Sequence, residues 1–439
     1  MRLSLAFLLA STAAAWAEAP KPAPVTDGDF RQIEAARAEL GQLLFYDKVI
    51  SGNRTIACAT CHHPKFGTSD GQSLALGEGG IGLGPDRVPD ANNLPEQRIP
   101  RNAPALWNLG AHEFTRLFHD GRLEKDDTRP SGLRTPLEDE MVMGFSSILS
   151  AQNMFPVLSG DEMAGHYEEN EISTAVRQGI ITAPGGAWDR IAARVESIPE
   201  YRAMYDKAAP ETLGRKLVFS DVSNMIADFV AFEFRADDTP FDAYLRGEGD
   251  LPEEARAGMD LFYGKAGCAD CHSGKFQTDH DFHAMGEPQL GPGKGERFER
   301  HQRDVGRMRV TNNPADIYAF RTPSLRNVTL TAPYGHAGAY ADLTAFLRHH
   351  LDPVSGLAQY KPQAVLAGPF EPAKADWTAF EGGEEYKAIA AAVTRPALAL
   401  EDSELSQIIA FLASLESPSA KTGRLGVPDS VPSGLPVDK

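Results

Sequence analysis

Cys58-Ala59-Thr60-Cys61-His62 and Cys268-Ala269-Asp270-Cys271-His272 decide how this chain is read. Together they hold all four cysteines of the 439 residues. Four thiols in an exported chain could close two disulfides. Each pair, however, is Cys-x-x-Cys followed directly by histidine, the signature of c-type haem attachment. Two thiols at this spacing hold a porphyrin by thioether bonds, and the next residue gives iron an axial nitrogen. A structural zinc site needs further Cys or His at short spacing, and His63 is poorly placed to add one. The reading is one covalent haem on Cys58, Cys61 and His62, and a second on Cys268, Cys271 and His272.

Working outward, both motifs follow a helical lead-in that ends in the same tripeptide, Leu44-Phe45-Tyr46 and Leu261-Phe262-Tyr263. The echo continues downstream as Pro64-Lys65-Phe66-Gly67-Thr68 against Gly274-Lys275-Phe276-Gln277-Thr278. Such an internal repeat predicts a mainly α protein of two cytochrome c-like helical domains, each with one covalently attached haem, long loops and little β. Gly77 to Pro100 is rich in Gly, Pro and Asn and reads as a long loop after the first haem, a place where function often resides. Amphipathic helix returns from Glu171 to Leu245, with a start expected at Ser220-Asp221, and Gly247 to Pro252 reads as a linker. A closing helix is expected from about Ser403 to Leu415, with Leu405, Ile408, Ile409 and Leu412 on one face. The tail beyond Ser417 is rich in Pro, Ser and Gly and is expected to run over the surface without a fold of its own. The boundaries are thus 1–17 for a leader, 18–250 and 251–416 for the two haem units, and 417–439 for the tail.

The leader is read from Arg2, the apolar run Leu3 to Ala15 and the small residues of Ala15-Trp16-Ala17, which mark a secretory signal peptide cleaved after Ala17. The run is too short for a bilayer span, so a periplasmic protein with no membrane segment is expected. A 42% hydrophobic and 24% charged composition suits a core-forming protein. The formal charge of −18 argues against nucleic acid as a partner. It suits a partner with a basic surface, such as a small electron-transfer protein, although it also simply aids solubility.

The sixth ligand decides whether each iron binds small molecules or only passes electrons. In Asp342 to His350, helical spacing places Leu343, Phe346, Leu347 and His350 on one stripe, with His349 about one residue's rotation off it. His350 is therefore aimed inward, either as a satisfied core histidine or as an iron ligand; periodicity leaves both open.

Several longer segments resemble the bacterial dihaem cytochrome c peroxidase family, which includes the MauG-type enzymes. They are Leu44-Phe45-Tyr46-Asp47, Arg101-Asn102-Ala103-Pro104, Phe118-His119-Asp120-Gly121-Arg122 and Asp161-Glu162-Met163 in the first half. The second half adds Arg321 to Val328 and Leu330-Thr331-Ala332-Pro333-Tyr334-Gly335-His336-Ala337-Gly338. The similarity runs through most of the mature chain. In that family the helix after Pro-Tyr-x-His supplies the second haem's sixth ligand, methionine in the peroxidases and tyrosine in MauG. Counted without gaps from Thr331 the position falls on His350, so the resemblance implies ligation by His272 and His350 and a lower-potential haem than methionine gives.

The resemblance implies three further roles. Glu162 matches the family's distal acid/base, which moves the peroxide proton between its oxygens, although Ser159-Gly160-Asp161-Glu162 also reads as a helix capping box. Asn102, Thr331 and Pro333 match a calcium site between the domains, and oxygen ligands suit that hard cation. His119 stands where the family commonly has a tryptophan between the haems, either as a polar bridge or as a turn histidine bonded to backbone; Trp107 is the nearby aromatic alternative. Resting peroxidases often carry a ligating histidine in the loop after the first haem, but Gly71 to Pro100 has none. A five-coordinate first haem on His62, open to hydrogen peroxide, is expected.

These expectations describe a periplasmic peroxidase-type oxidoreductase that reduces peroxide at the first haem with electrons relayed through the second from a small cytochrome or cupredoxin. The alternatives are a MauG-like enzyme that oxidises residues of a partner protein, and a dihaem electron carrier without substrate chemistry.

Overall fold

A computed structural model describes residues 19–295, 302–369, 376–377, 379 and 383–439; the leader lies outside the described residues. Six helices frame the haem sites: α1 (Ala35–Tyr46), α2 (Ile148–Gln152), α3 (Phe219–Glu233), α4 (Glu253–Tyr263), α5 (Leu343–Leu351) and α6 (Asp402–Ala413). Strand is confined to three small antiparallel sheets. The largest of them joins β1 (Arg116–Leu117), β2 (Leu123–Lys125) and β3 (Leu133–Arg134). The fold is mainly α, as the repeat predicts.

Each haem motif is preceded by a helix that crosses another at a glycine. A Cβ on Gly41 of α1 would stand 1.9 Å from the Met225 carbonyl oxygen of α3, and one on Gly258 of α4 would stand 1.8 Å from that of Gln407 on α6. Both glycines lie three residues before the repeated Leu-Phe-Tyr. The repeat is thus a packing unit: glycine admits the partner helix's backbone, and the aromatics after it fill the crossing. In the first unit Phe45 meets Phe229 at 5.1 Å and Phe234 at 5.8 Å; in the second, Phe262 meets Phe411 at 5.1 Å. Aromatic pairs at these separations add to the burial of their area.

The helix ends differ by one or two residues from the sequence reading. α3 starts at Phe219, because the Asp221 carboxylate caps it by accepting from the Val218 backbone N–H and pairing with Arg215. α6 stops at Ala413, where the Ser414 hydroxyl donates to the Phe411 carbonyl. Segment 171–245 divides into Glu171–Arg177, Ala187–Glu196, Pro199–Ala208, α3 and Pro240–Leu245.

Buried ionic contacts tie the halves together, among them Arg98 with Asp376. Arg326, fully buried, reaches both carboxylate oxygens of the equally buried Asp242 and the Ala236 carbonyl. Arg101 spans Asp120 and Asp304. The tail returns to the first unit. Glu233 on α3 accepts from the backbone N–H groups of Arg424, Leu425 and Gly426, and Gln42 on α1 donates to the Leu425 and Gly426 carbonyls. Asp438 holds Thr60 and Lys48, while Ala420 and Val431 are buried in the first core. The tail is irregular apart from the 3-10 turn Pro418–Lys421, yet it is bonded along its length.

Candidate active site: two unequal haem cavities

The two motifs open onto two cavities that share a wall. Cys58, Cys61 and His62 line one; Cys268, Cys271 and His272 line the other. All four thiols are free. The His62 Nδ1 donates to the Thr68 carbonyl at 3.0 Å, and the His272 Nδ1 to the Gln277 carbonyl at 3.1 Å. In each ring this fixes the tautomer that leaves Nε2 as a lone-pair donor, the second-sphere arrangement that iron-binding imidazoles use. Burial lowers both pKa values, that of His272 to about 4, so the rings stay neutral and able to bind metal. Paired free thiols, a neutral imidazole beside each pair and a cavity over each ring fit a covalent haem at both sites.

The two cavities are lined differently. In the second cavity α5 supplies His350 to the same lining as His272. The His350 Nδ1 donates to the Phe346 carbonyl at 3.0 Å, leaving Nε2 free, and burial followed by the neighbouring His349 pushes its pKa down to about 4. His349 turns the other way, 2% exposed, and bonds the Met285 carbonyl through Nε2. The sequence stripe puts His350 inward and it lines this cavity, but His349, off that stripe, is the more deeply buried of the two because it packs toward Met285 instead.

The lining of the first cavity includes Gln152, Glu162, Arg122 and Lys294. Glu162 lies on a π-helical turn, Gly160–Ala164. The Ser159 hydroxyl accepts from the Glu162 backbone N–H at 3.3 Å, which is half of a capping box. The reciprocal half is taken by another partner, since the Ser159 N–H donates to the Pro156 carbonyl. Glu162 therefore keeps its carboxyl for the cavity, where burial raises its pKa above the ordinary value. Gln152, at the end of α2, was not singled out in the sequence. Its Oε1 is buried without a hydrogen-bond partner, and nothing in the local pattern separates it from a polar residue closing a short helix.

His119 lies on the shared wall, lining both cavities. Its Nε2 donates to the Asn102 carbonyl at 3.0 Å, and burial, then the Arg101 charge, push its pKa down to about 4. Phe118 before it takes φ +67, a costly conformation for a bulky residue, with the Arg122 guanidinium 3.9 Å above its ring. His119 is thus backbone-bonded and placed on the wall that the two cavities share. Trp107 packs on Phe234, donates to the Gly67 carbonyl and lines only the second cavity of the two. Phe320 and His336 stack at 3.8 Å on the same side. Although burial raises it, hydrogen bonds from His336 hold Glu287 down to about 2.

Asn102, Thr331 and Pro333 share the second cavity's wall. The Asn102 amide donates to the Gln72 and Ser73 carbonyls, leaving its Oδ1 as the atom a cation would use.

Comparisons with known proteins agree with this geometry. The model of the di-haem cytochrome c peroxidase family matches residues 35–250. The methylamine utilization protein MauG of Methylorubrum extorquens is 28% identical over 86% of this chain and 86% of its own. The cytochrome c551 peroxidase of Pseudomonas aeruginosa is 26% identical, with 74% of each chain covered. A crystal structure of a MauG-like protein associated with microbial copper homeostasis superimposes with a TM-score of 0.59 at 24% identity, covering 92% of this chain and 95% of that one.

Proposed function

Since the chain belongs to the di-haem cytochrome c peroxidase family and is a peroxidase-type oxidoreductase, we propose that it reduces hydrogen peroxide at its first haem with electrons supplied through its second. The observation that carries this is the inequality of the two linings. His350 lines the second cavity together with His272, whereas among the described residues the histidines lining the first are His62 and His119. His119 has its Nε2 committed to the Asn102 carbonyl. We take His62, His272 and His350 as the iron ligands, with the first iron open.

Peroxide taking two electrons and two protons yields two waters, and this chain's residues manage the protons. Glu162 accepts a proton from one peroxide oxygen and returns it to the other, a transfer that suits a buried carboxyl with a raised pKa. Gln152, with its free Oε1, accepts from the bound peroxide and fixes its orientation. His119 lies on the path between the cavities. Calcium at Asn102, Thr331 and Pro333, export with cleavage after Ala17, and haem units at 18–250 and 251–416 belong to the same proposal.

Electron paramagnetic resonance of the oxidised protein tests it. A high-spin and a low-spin haem are expected, with His350→Ala turning the low-spin signal high-spin. Two low-spin haems in the wild type would instead indicate an electron carrier. The loss of a methionine at position 350, the extended segment from Arg122 to Gln152 and the absence of a histidine from Gly71 to Pro100 favour a second reading, a MauG-like enzyme that draws electrons from residues of a partner protein. Fast peroxide turnover with a reduced small cytochrome or cupredoxin supports the first reading; a long-lived oxidised spectrum with no such turnover supports the second.

A further inference from the structure

Every described residue lining the first cavity comes from positions 45–230 except Lys294, which arrives from beyond the linker. It stands in Leu290-Gly291-Pro292-Gly293-Lys294-Gly295, a run with the composition of a plain loop. That loop is held in place: Gln289 bonds Asp304 through both its amide atoms, and Gly293, at φ +74, leaves no room for a Cβ against the Gln302 backbone. Asp304 in turn clamps Arg101 on the same cavity wall. The lysine is thus delivered by a braced turn.

The charges around it are mostly spoken for. Arg101 is paired with Asp120 and Asp304, and Arg122 with Asp120. Lys294 forms no ion pair or hydrogen bond with a described residue. The groups that act on it across the cavity are Arg122, Glu162, Arg101 and Asp120, and it is the strongest of the charges acting on Glu162. Burial, then Arg122, lower its pKa to about 8. At neutral pH this is a largely protonated ammonium, without an ion-pair partner among the described residues, beside a carboxyl that burial pushes toward neutrality. A half-buried cation in that position recruits a small anion.

We propose that Lys294 is the anion-binding group of the first cavity, holding peroxide as it gives up its proton to Glu162 and stabilising the negative charge left on its oxygen. The second half of the chain thereby completes the site of the first haem. This rests on the reading that peroxide binds there.

Fluoride binding to the oxidised protein, followed at the high-spin haem by absorbance and paramagnetic resonance, tests the proposal apart from turnover. Lys294→Met is expected to weaken fluoride by about tenfold or more at neutral pH, and Lys294→Arg to restore most of it. Both variants should keep two haems per chain and the wild-type spin states. Equal fluoride affinity in wild type and Lys294→Met overturns the proposal while leaving the open first haem intact. So does a new high-spin signal in Lys294→Met, which would make the lysine an iron ligand. A wild type that shows no high-spin haem and binds no fluoride overturns both the proposal and the reading beneath it.

Discussion

The two haem sites share a frame and differ in what faces it. In each, a glycine three residues before Leu-Phe-Tyr lets a second helix cross, and a backbone carbonyl five or six residues after the histidine orients the ring. The rest of the linings differ: α5 brings a second imidazole to one, while the π-turn and a distant lysine bring a carboxyl and an ammonium to the other, and the α2 amide of Gln152 reaches both. Attachment is thus encoded locally and can be duplicated, whereas reactivity is set by segments remote in sequence, which are free to diverge.

The largest expected effect breaks that asymmetry at its chemical end. Glu162→Gln should lower peroxide turnover by about 10²- to 10⁴-fold and leave the low-spin haem's spectrum unchanged. In the wild type Glu162 must be ionised to accept a proton, so kcat/KM should fall as pH drops through its raised pKa, at higher pH than for an ordinary carboxylate. Glu162→Gln should lose that acid limb; a limb that persists assigns it to another group. Next comes the joint between the halves. Asp242→Ala leaves the Arg326 charge buried and unpaired and should cost about 3–5 kcal/mol in denaturant unfolding. The shared frame is probed by Gly41→Ala and Gly258→Ala, each expected to cost about 1–3 kcal/mol, because the added Cβ meets backbone oxygen. A clear difference between the two would show that the crossings are not equivalent. The smallest effect is at the tail: Asp438→Ala should cost about 1 kcal/mol, seen in thermal unfolding followed at the first haem before the second.

Much of this was legible in the sequence because it is local. The motifs, the Leu-Phe-Tyr repeat and the stripe that separates His350 from His349 all depend on spacing within a few residues. Resemblance supplied Glu162, and the structure adds why the capping box does not consume it: the Ser159 N–H already bonds Pro156. Gln152 and Lys294 were not legible, since one closes a short helix and the other sits in a glycine-rich loop, and only tertiary placement brings them to the same cavity. The tail's composition suggested a chain without attachments. Its backbone N–H groups and short side chains donate to Glu233 and Asp47, its Asp438 accepts from Thr60, and such bonding leaves no hydrophobic period to read.

The bond between Thr60 and Asp438 joins residues 378 positions apart. A chain that emerges from its amino end makes the first haem motif early and its brace late, so the whole second unit is synthesised before the first can close. Cutting at the linker would not release a self-sufficient haem module, because the excised piece would lack Ala420 and Val431 from its core. The molecule is two repeats in sequence but one object by threading.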